Sequence, residues 1–389
     1  MQPQKSVIAG LVVALAAATS LTVGASASAT PTPERSSAKA ATPGVPAPNR
    51  AKVARPGVRA DPTLKTLRQL GDRAGLRIGA AINLDALADD ATYRYLAATE
   101  FSSVTPENAM KWDAIEPRQG EYNYAPAEEL IRFAKANRQI VRGHTLVWHS
   151  QVPTWVTEGN FTSAELREIL RRHIRTEMSQ FRGNITEWDV VNEAFNEDGT
   201  LRDSLWLQKL GPGYIEDAFR YAHSIDPKAK LFYNDYNIEG VNPKSNAVYN
   251  LLRRLRAEGV PVQGVGLQSH FDIQYNYPPD ILANMQRFAA LGVNVSVTEA
   301  DVRMDLPVDP TKLQAQAGAY DALLSSCLLV KRCKNFTFWG ISDQYSWIPG
   351  VFEGQGAALL WDDTYQTKPA YDSIRRLLAV AGSNRPKIS

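Results

Sequence analysis

The sequence predicts an α/β fold, a (β/α)8 TIM barrel carried by a single catalytic domain. Short apolar runs of strand length recur eight times between residues 78 and 339, each followed by a polar loop and then by helical periodicity. Strands that alternate with helices imply parallel pairing in a sheet covered by helices. The runs also end in polar and aromatic residues, and the carboxyl-terminal edge of such a barrel is where active sites are built. No Gly-x-Gly-x-x-Gly follows the first run, which argues against an open dinucleotide-binding sheet.

The amino-terminal part of the chain does not read as barrel. Residues 1–29 hold Lys5, a weakly apolar stretch over 7–23 and small-x-small steps at Ala25-Ser26-Ala27 and Ala27-Ser28-Ala29. That is the pattern of a cleaved secretory signal; a membrane anchor is the alternative, in a stretch short for a span of about 20 residues. Residues 30–60 are rich in Pro, Ala, Ser and Arg and almost free of aromatics. Such a segment cannot bury enough apolar surface to offset chain ordering, so it reads as a disordered spacer. Residues 61–389 then form the barrel domain, a length normal for an α/β barrel with insertions. No later segment is apolar enough to cross a bilayer, so the expectation is a secreted, extracellular protein with no membrane contact after signal cleavage.

The predicted strands lie at 78–82, 101–105, 140–146, 187–191, 230–233, 262–268, 293–298 and 336–339. Between them Ala127, Leu130, Ile131 and Ala134, and later Leu166, Ile169, Leu170, His173 and Ile174, recur at helical spacing. Thr162 with Glu165 three residues on is a helix-start signal.

Lys and Arg number 43 against 41 Asp and Glu, and the signs are well mixed. Neither a basic stripe for nucleic acid nor a polybasic run for a lipid surface is present, so an uncharged partner is expected. Cys327 and Cys333 are the only cysteines, with five residues between them. In an exported chain a local disulfide is expected, two buried thiols being the alternative. Two cysteines without a matching His spacing make no zinc site, and neither metal nor cofactor is expected.

The strand ends carry the chemistry. Glu193 closes Trp188-Asp189-Val190-Val191-Asn192-Glu193, and Glu299 lies in Val297-Thr298-Glu299-Ala300-Asp301. Two carboxylates facing each other across a barrel mouth are the equipment for breaking a glycosidic bond. One must stay protonated to donate to the leaving oxygen, so its surroundings should raise its pKa; the other must stay ionised to attack or support the sugar carbon. Asp301 sits on the same side of an extended run as Glu299, and with His270 it can hold that carboxylate in place. The neighbouring ends add Asn108, Lys111, Gln151, Asn192 and Gln268 as hydrogen-bonding groups, and Trp112, Trp148, Trp339 and Trp347 as flat surfaces for the C–H faces of sugars. The Asn192 amide is placed to meet a sugar hydroxyl.

The segments 105–112, 144–155, 188–196, 233–237, 264–271, 298–302 and 338–347 together resemble the strand-end motifs of glycoside hydrolase family 10, the endo-β-1,4-xylanases, and the likeness covers 64–380. The resemblance implies a (β/α)8 barrel and hydrolysis of xylan by double displacement with retained anomeric configuration, without a cofactor. It makes Glu193 the acid/base, Glu299 the nucleophile, and His270 and Asp301 their supports. Glu107, Asn108, Lys111, His144, Trp148, Gln151, Asn192, Tyr236, Gln268, Trp339 and Trp347 match the family's sugar-binding positions. Xylan and xylo-oligosaccharides are thus the implied partners of a monomer. Ala300 and Ala109 depart from the larger residue and the Glu common in the family; neither is a catalytic position. A β-1,4-glucanase with the same carboxylate pair, and a silent polysaccharide-binding barrel, are the alternatives.

Overall fold

The computed structural model describes residues 65–382, so the predicted signal (1–29), the predicted spacer (30–60) and the ends of the 61–389 domain lie outside the described residues. The strands are β1 (Arg77–Ile82), β2 (Ser103–Pro106), β3 (Ile140–Val147), β4 (Ile185–Asn192), β5 (Lys230–Asp235), β6 (Gly264–Leu267), β7 (His270–Asp272), β8 (Asn294–Asp305), β9 (Cys333–Phe338) and β10 (Gln355–Gly356). Parallel pairing runs from β1 through β6, on to β8 and β9, and back to β1, closing a ring of eight. Helices follow the strands, and strands buried on both faces read as near-continuous apolar runs. Val295 and Val297 of β8 and Leu231 and Phe232 of β5 are wholly buried. At Gly143 a Cβ would lie 2.2 Å from the Trp188 ring, so only glycine lets β3 and β4 bring that indole inside.

The expected helices are present. In Ser163–Gln180, Thr162 and Glu165 form the reciprocal cap, and Leu166, Ile169, Leu170, His173 and Ile174 are the buried face. A disulfide joins Cys327 in the helix Pro310–Leu329 to Cys333 at the start of β9, with Cα atoms 5.3 Å apart. No helix among the described residues is long and apolar enough to cross a membrane.

Two strands differ from expectation in ways that shape the mouth. The run expected at 293–298 continues to Asp305, because beyond the ring it gains new partners: β7 pairs His270 with Asp301, and β10 pairs Gln355 with Asp305. The run expected at 262–268 breaks into β6 and β7 around Gln268 and Ser269, where Ser269 has φ 65°.

Candidate active site

Glu193 follows the last residue of β4 with φ 58°, a left-handed conformation that costs a non-glycine residue about 1–3 kcal/mol. The surroundings hold it there. Its N–H donates to the Asn234 carbonyl (2.9 Å), its own carbonyl accepts from Arg202 Nε (2.9 Å), and the Ala194 N–H donates to the Tyr233 hydroxyl (3.0 Å). The side chain enters the mouth, where Oε1 accepts from Gln268 Nε2 (3.0 Å) and Asn192 Nδ2 (3.2 Å), and Oε2 from Trp148 Nε1 (2.8 Å).

Glu299 and Asp301 alternate along β8, so both side chains take one face. His270, brought alongside by β7, stands between them: Nε2 lies 3.2 Å from Glu299 Oε2 and Nδ1 lies 3.0 Å from Asp301 Oδ1. Trp347 Nε1 donates to the other Asp301 oxygen (2.7 Å). Glu299 Oε1 accepts from Asn234 Nδ2 (2.7 Å), which also donates to Asn192 Oδ1 (2.8 Å). Gln268 Nε2 meets that same Asn192 oxygen (3.3 Å), so three amides run from one carboxylate to the other.

The charges sort accordingly. Burial works against protonation of His270, yet Asp301 and Glu299 hold it up at about 10, so the ring is an imidazolium at neutral pH. Burial pushes the Glu193 carboxyl up, but the Gln268 hydrogen bond, the His149 ring, the Trp148 N–H and Arg202 together bring it below its ordinary value. The donors that its oxygens meet thus oppose the raised value expected of an acid in the free site. Burial drives His149 itself down to about 4, so at neutral pH it is uncharged and its share of that pull is absent. The Lys111 ammonium is lowered by burial against the opposing pull of Glu299 and Glu107, and burial raises Glu107 although Lys111 opposes it.

The remaining predicted residues gather at the same end. Lys111 Nζ donates to Asn108 Oδ1 (2.8 Å) and stands 5.3 Å from the Trp148 ring centroid. Gln151 lines a crevice with Lys111 and Trp148. Glu107 donates its N–H to the Ile82 carbonyl at the end of β1 (3.1 Å). The His144 ring lies edge-on to Trp339 at 5.2 Å, and its Nδ1 is 3.1 Å from Asp189 Oδ2. The Trp339 N–H donates to the Ala300 carbonyl (3.0 Å). Tyr236 is engaged by cations: its hydroxyl accepts from Arg202 (2.8 Å), and Lys244 Nζ covers one ring face at 3.3 Å from the centroid.

Trp112 is the exception among the expected aromatic surfaces. The residue is 3% exposed, its ring stacked on His173 at 3.8 Å and on Trp206 at 5.6 Å, and it packs into the core while lining the crevice shared by Lys111, Trp148 and Gln151. Asn234 and Tyr233 stand in the strand-end segment 233–237 but carried no assigned role, although Asn234 sits near the end of β5 as Asn192 does on β4; Arg202, from an irregular loop, gave no signal. Among the described residues no cluster of three or more His, Cys, Asp or Glu side chains is placed to hold a metal ion.

Residues 66–377 match the sequence model of Glycosyl hydrolase family 10. Endo-1,4-beta-xylanase A of Fusarium oxysporum f. sp. lycopersici is 47% identical over 282 residues, spanning 70% of this chain and 86% of that protein. Endo-1,4-beta-xylanase B of Thermotoga neapolitana is 44% identical over 315 residues, 80% of this chain and 91% of that one. Among solved structures, xylanase 10B of Thermotoga petrophila RKU-1 in complex with xylobiose superposes with a TM-score of 0.78 at 45% identity, covering 80% of this chain and 97% of the other.

Proposed function

The chain belongs to glycosyl hydrolase family 10, and from that membership we propose an endo-1,4-β-xylanase that cleaves internal xylosidic bonds with retention, through Glu193 and Glu299. The observation that carries the division of roles is the unequal support of the two carboxylates. Glu299 is gripped by the His270 imidazolium and the Asn234 amide, which fix the carboxylate in place for attack. Glu193 meets uncharged N–H donors from Gln268, Asn192 and Trp148, and a substrate oxygen can take up or replace such contacts.

In the first step Glu193 gives its proton to the bridging oxygen as Glu299 attacks C1; the C1–O bond breaks and a glycosyl-enzyme ester forms. In the second, Glu193, now ionised, takes a proton from water, whose oxygen displaces Glu299 from C1. The donors around Glu193 favour its ionised form, which suits this second step. Substrate binding must weaken some of them before the first.

Xylan and xylo-oligosaccharides are the proposed partners, in line with the xylobiose complex of the Thermotoga petrophila relative. We further propose that the chain acts as a monomer outside the cell, exported by the signal-like residues 1–29. Two assays test the activity. Reducing-end release on xylan should far exceed release on soluble cellulose; comparable rates would make this a tolerant β-1,4-glucanase, and affinity without release a binding protein. Proton NMR should show the β-anomer first, and an α-anomer at early times would remove Glu299 from the nucleophile's role.

A further inference from the structure

Between β6 and β7 the chain steps out of the ring for two residues, and a support for each carboxylate hangs on that step. The Gln268 amide reaches Glu193, and His270 reaches Glu299. The Gln268 peptide is clamped on both sides, its N–H donating to the Asp235 carbonyl (3.0 Å) and its carbonyl accepting from the Glu299 N–H (3.1 Å). Ser269 then turns with φ 65°, a conformation that a residue with a Cβ keeps only where its surroundings fix it.

What fixes it is a second-loop carboxylate. Glu239, in the loop after β5, accepts the Ser269 N–H at Oε1 over 2.7 Å and is itself 2% exposed. Its backbone is bolted in turn: Asn284 Nδ2, from the helix Ile281–Ala290, donates to the carbonyls of Ile238 (2.6 Å) and Glu239 (2.8 Å). Asn284 is fully buried, and its oxygen accepts from Ser245 Oγ (3.0 Å) and Arg287 Nε (2.7 Å). Burial of a carboxyl group is costly and here pushes Glu239 up from its ordinary value. A shorter or apolar side chain at 239 would leave the Ser269 N–H buried without its acceptor.

We infer that Glu239 is a positioning residue for both carboxylates: by holding the Ser269 peptide in its left-handed turn, it aims Gln268 at Glu193 and His270 at Glu299. It touches neither reacting atom. The inference rests on the reading of Glu193 and Glu299 given above.

The test compares full-length wild type, Glu239→Ala, Glu239→Gln and Glu299→Ala on xylan and on an aryl β-xylobioside, with circular dichroism to verify folding. Misplacing reacting groups by about 1 Å can cost about 100-fold in rate, so Glu239→Ala should lose about that factor in kcat with KM within about 3-fold. Glu239→Gln keeps an oxygen that accepts the same N–H and should return to within about 5-fold of wild type. Wild-type kcat in Glu239→Ala, or equal losses in the Ala and Gln variants, overturns the positioning role. If Glu239→Ala does not fold, Glu239→Asp carries the test: withdrawing the carboxylate by one methylene should lower kcat more than about 10-fold with KM held, and an unchanged kcat overturns the role. A wild type with no activity, or a Glu299→Ala variant as active as wild type, brings down the active-site reading and this inference with it. An active wild type, a dead Glu299→Ala and a fully active Glu239→Ala bring down this inference alone.

Discussion

Replacing His270 by Gln keeps a donor but removes the positive charge wedged between Glu299 and Asp301. Burial alone would favour the neutral ring; the two carboxylates instead hold it up from 6.5 to about 10. A histidine raised in this way binds its proton more tightly folded than unfolded. Its contribution to stability is therefore complete below about pH 6.5 and is lost as pH climbs through about 10. Removing one partner from a buried ionic group costs about 3–5 kcal/mol, and the His270 side chain is only 15% exposed, so little screening reduces that figure. At pH 6 the variant should be less stable by about that amount, and the gap should close as pH rises toward 10. Urea midpoints of both proteins between pH 6 and 9.5 measure this directly. A stability gap independent of pH would mean that the ring is neutral and only packs, and the electrostatic account of His270 would be wrong.

Three further predictions follow from single contacts. Trp148→Phe removes the N–H that Glu193 Oε2 accepts, so the alkaline limb of kcat/KM should move up in pH; a downward move would contradict the direction of that pull. Arg142→Met leaves Glu187 and Asp189 buried without their shared cation, and chemical denaturation should show a loss of about 3–5 kcal/mol; a neutral result would mean that the two acids pair elsewhere. Replacing Cys327 and Cys333 by Ser opens a short loop far from the mouth, and should lower stability by about 2 kcal/mol while leaving kcat within about 2-fold.

The barrel and most of its mouth were legible because parallel buried strands write themselves as β-branched runs, and because functional groups collect where those runs end. Glu193, Glu299, His270 and Asp301 could be placed on that basis alone. What escaped depends on contacts between distant segments. The continuation of β8 to Asp305 is stabilised by β7 and β10, neither of which has a strand's periodicity of its own. Trp112 looks like a platform by type and position, yet the turn at Trp112–Ile115 directs its ring inward onto His173. Arg202 lies nine residues past Glu193 in a loop without pattern, and only the fold returns its guanidinium to the Glu193 carbonyl.

The same limit explains why the expected raised carboxyl was not found. The raised pKa is expected because the acid must keep a proton to donate to the leaving oxygen, a demand of the chemistry that does not reveal which groups surround the carboxyl. The fold adds the Gln268 and Trp148 donors and the loop residue Arg202, each outside the 187–193 run and each pulling the other way. The proposed division of labour therefore does not follow from a raised Glu193 carboxyl in the free site. It rests on what holds each group. Glu299 is bound to a cation that is itself locked to Asp301, whose other oxygen Trp347 holds, so exchanging its supports would mean dismantling a buried ionic chain. The hydrogen bonds that the Glu193 carboxylate accepts come from neutral N–H groups, among them those of Trp148 and Gln268, which the sugar-binding reading also assigns to substrate. A ligand that engages those two groups relieves Glu193 of its donors while expelling water, and both effects act in the direction of proton uptake. On the proposed roles, the acid is thus prepared by the arrival of the substrate, whereas the nucleophile is prepared by the fold.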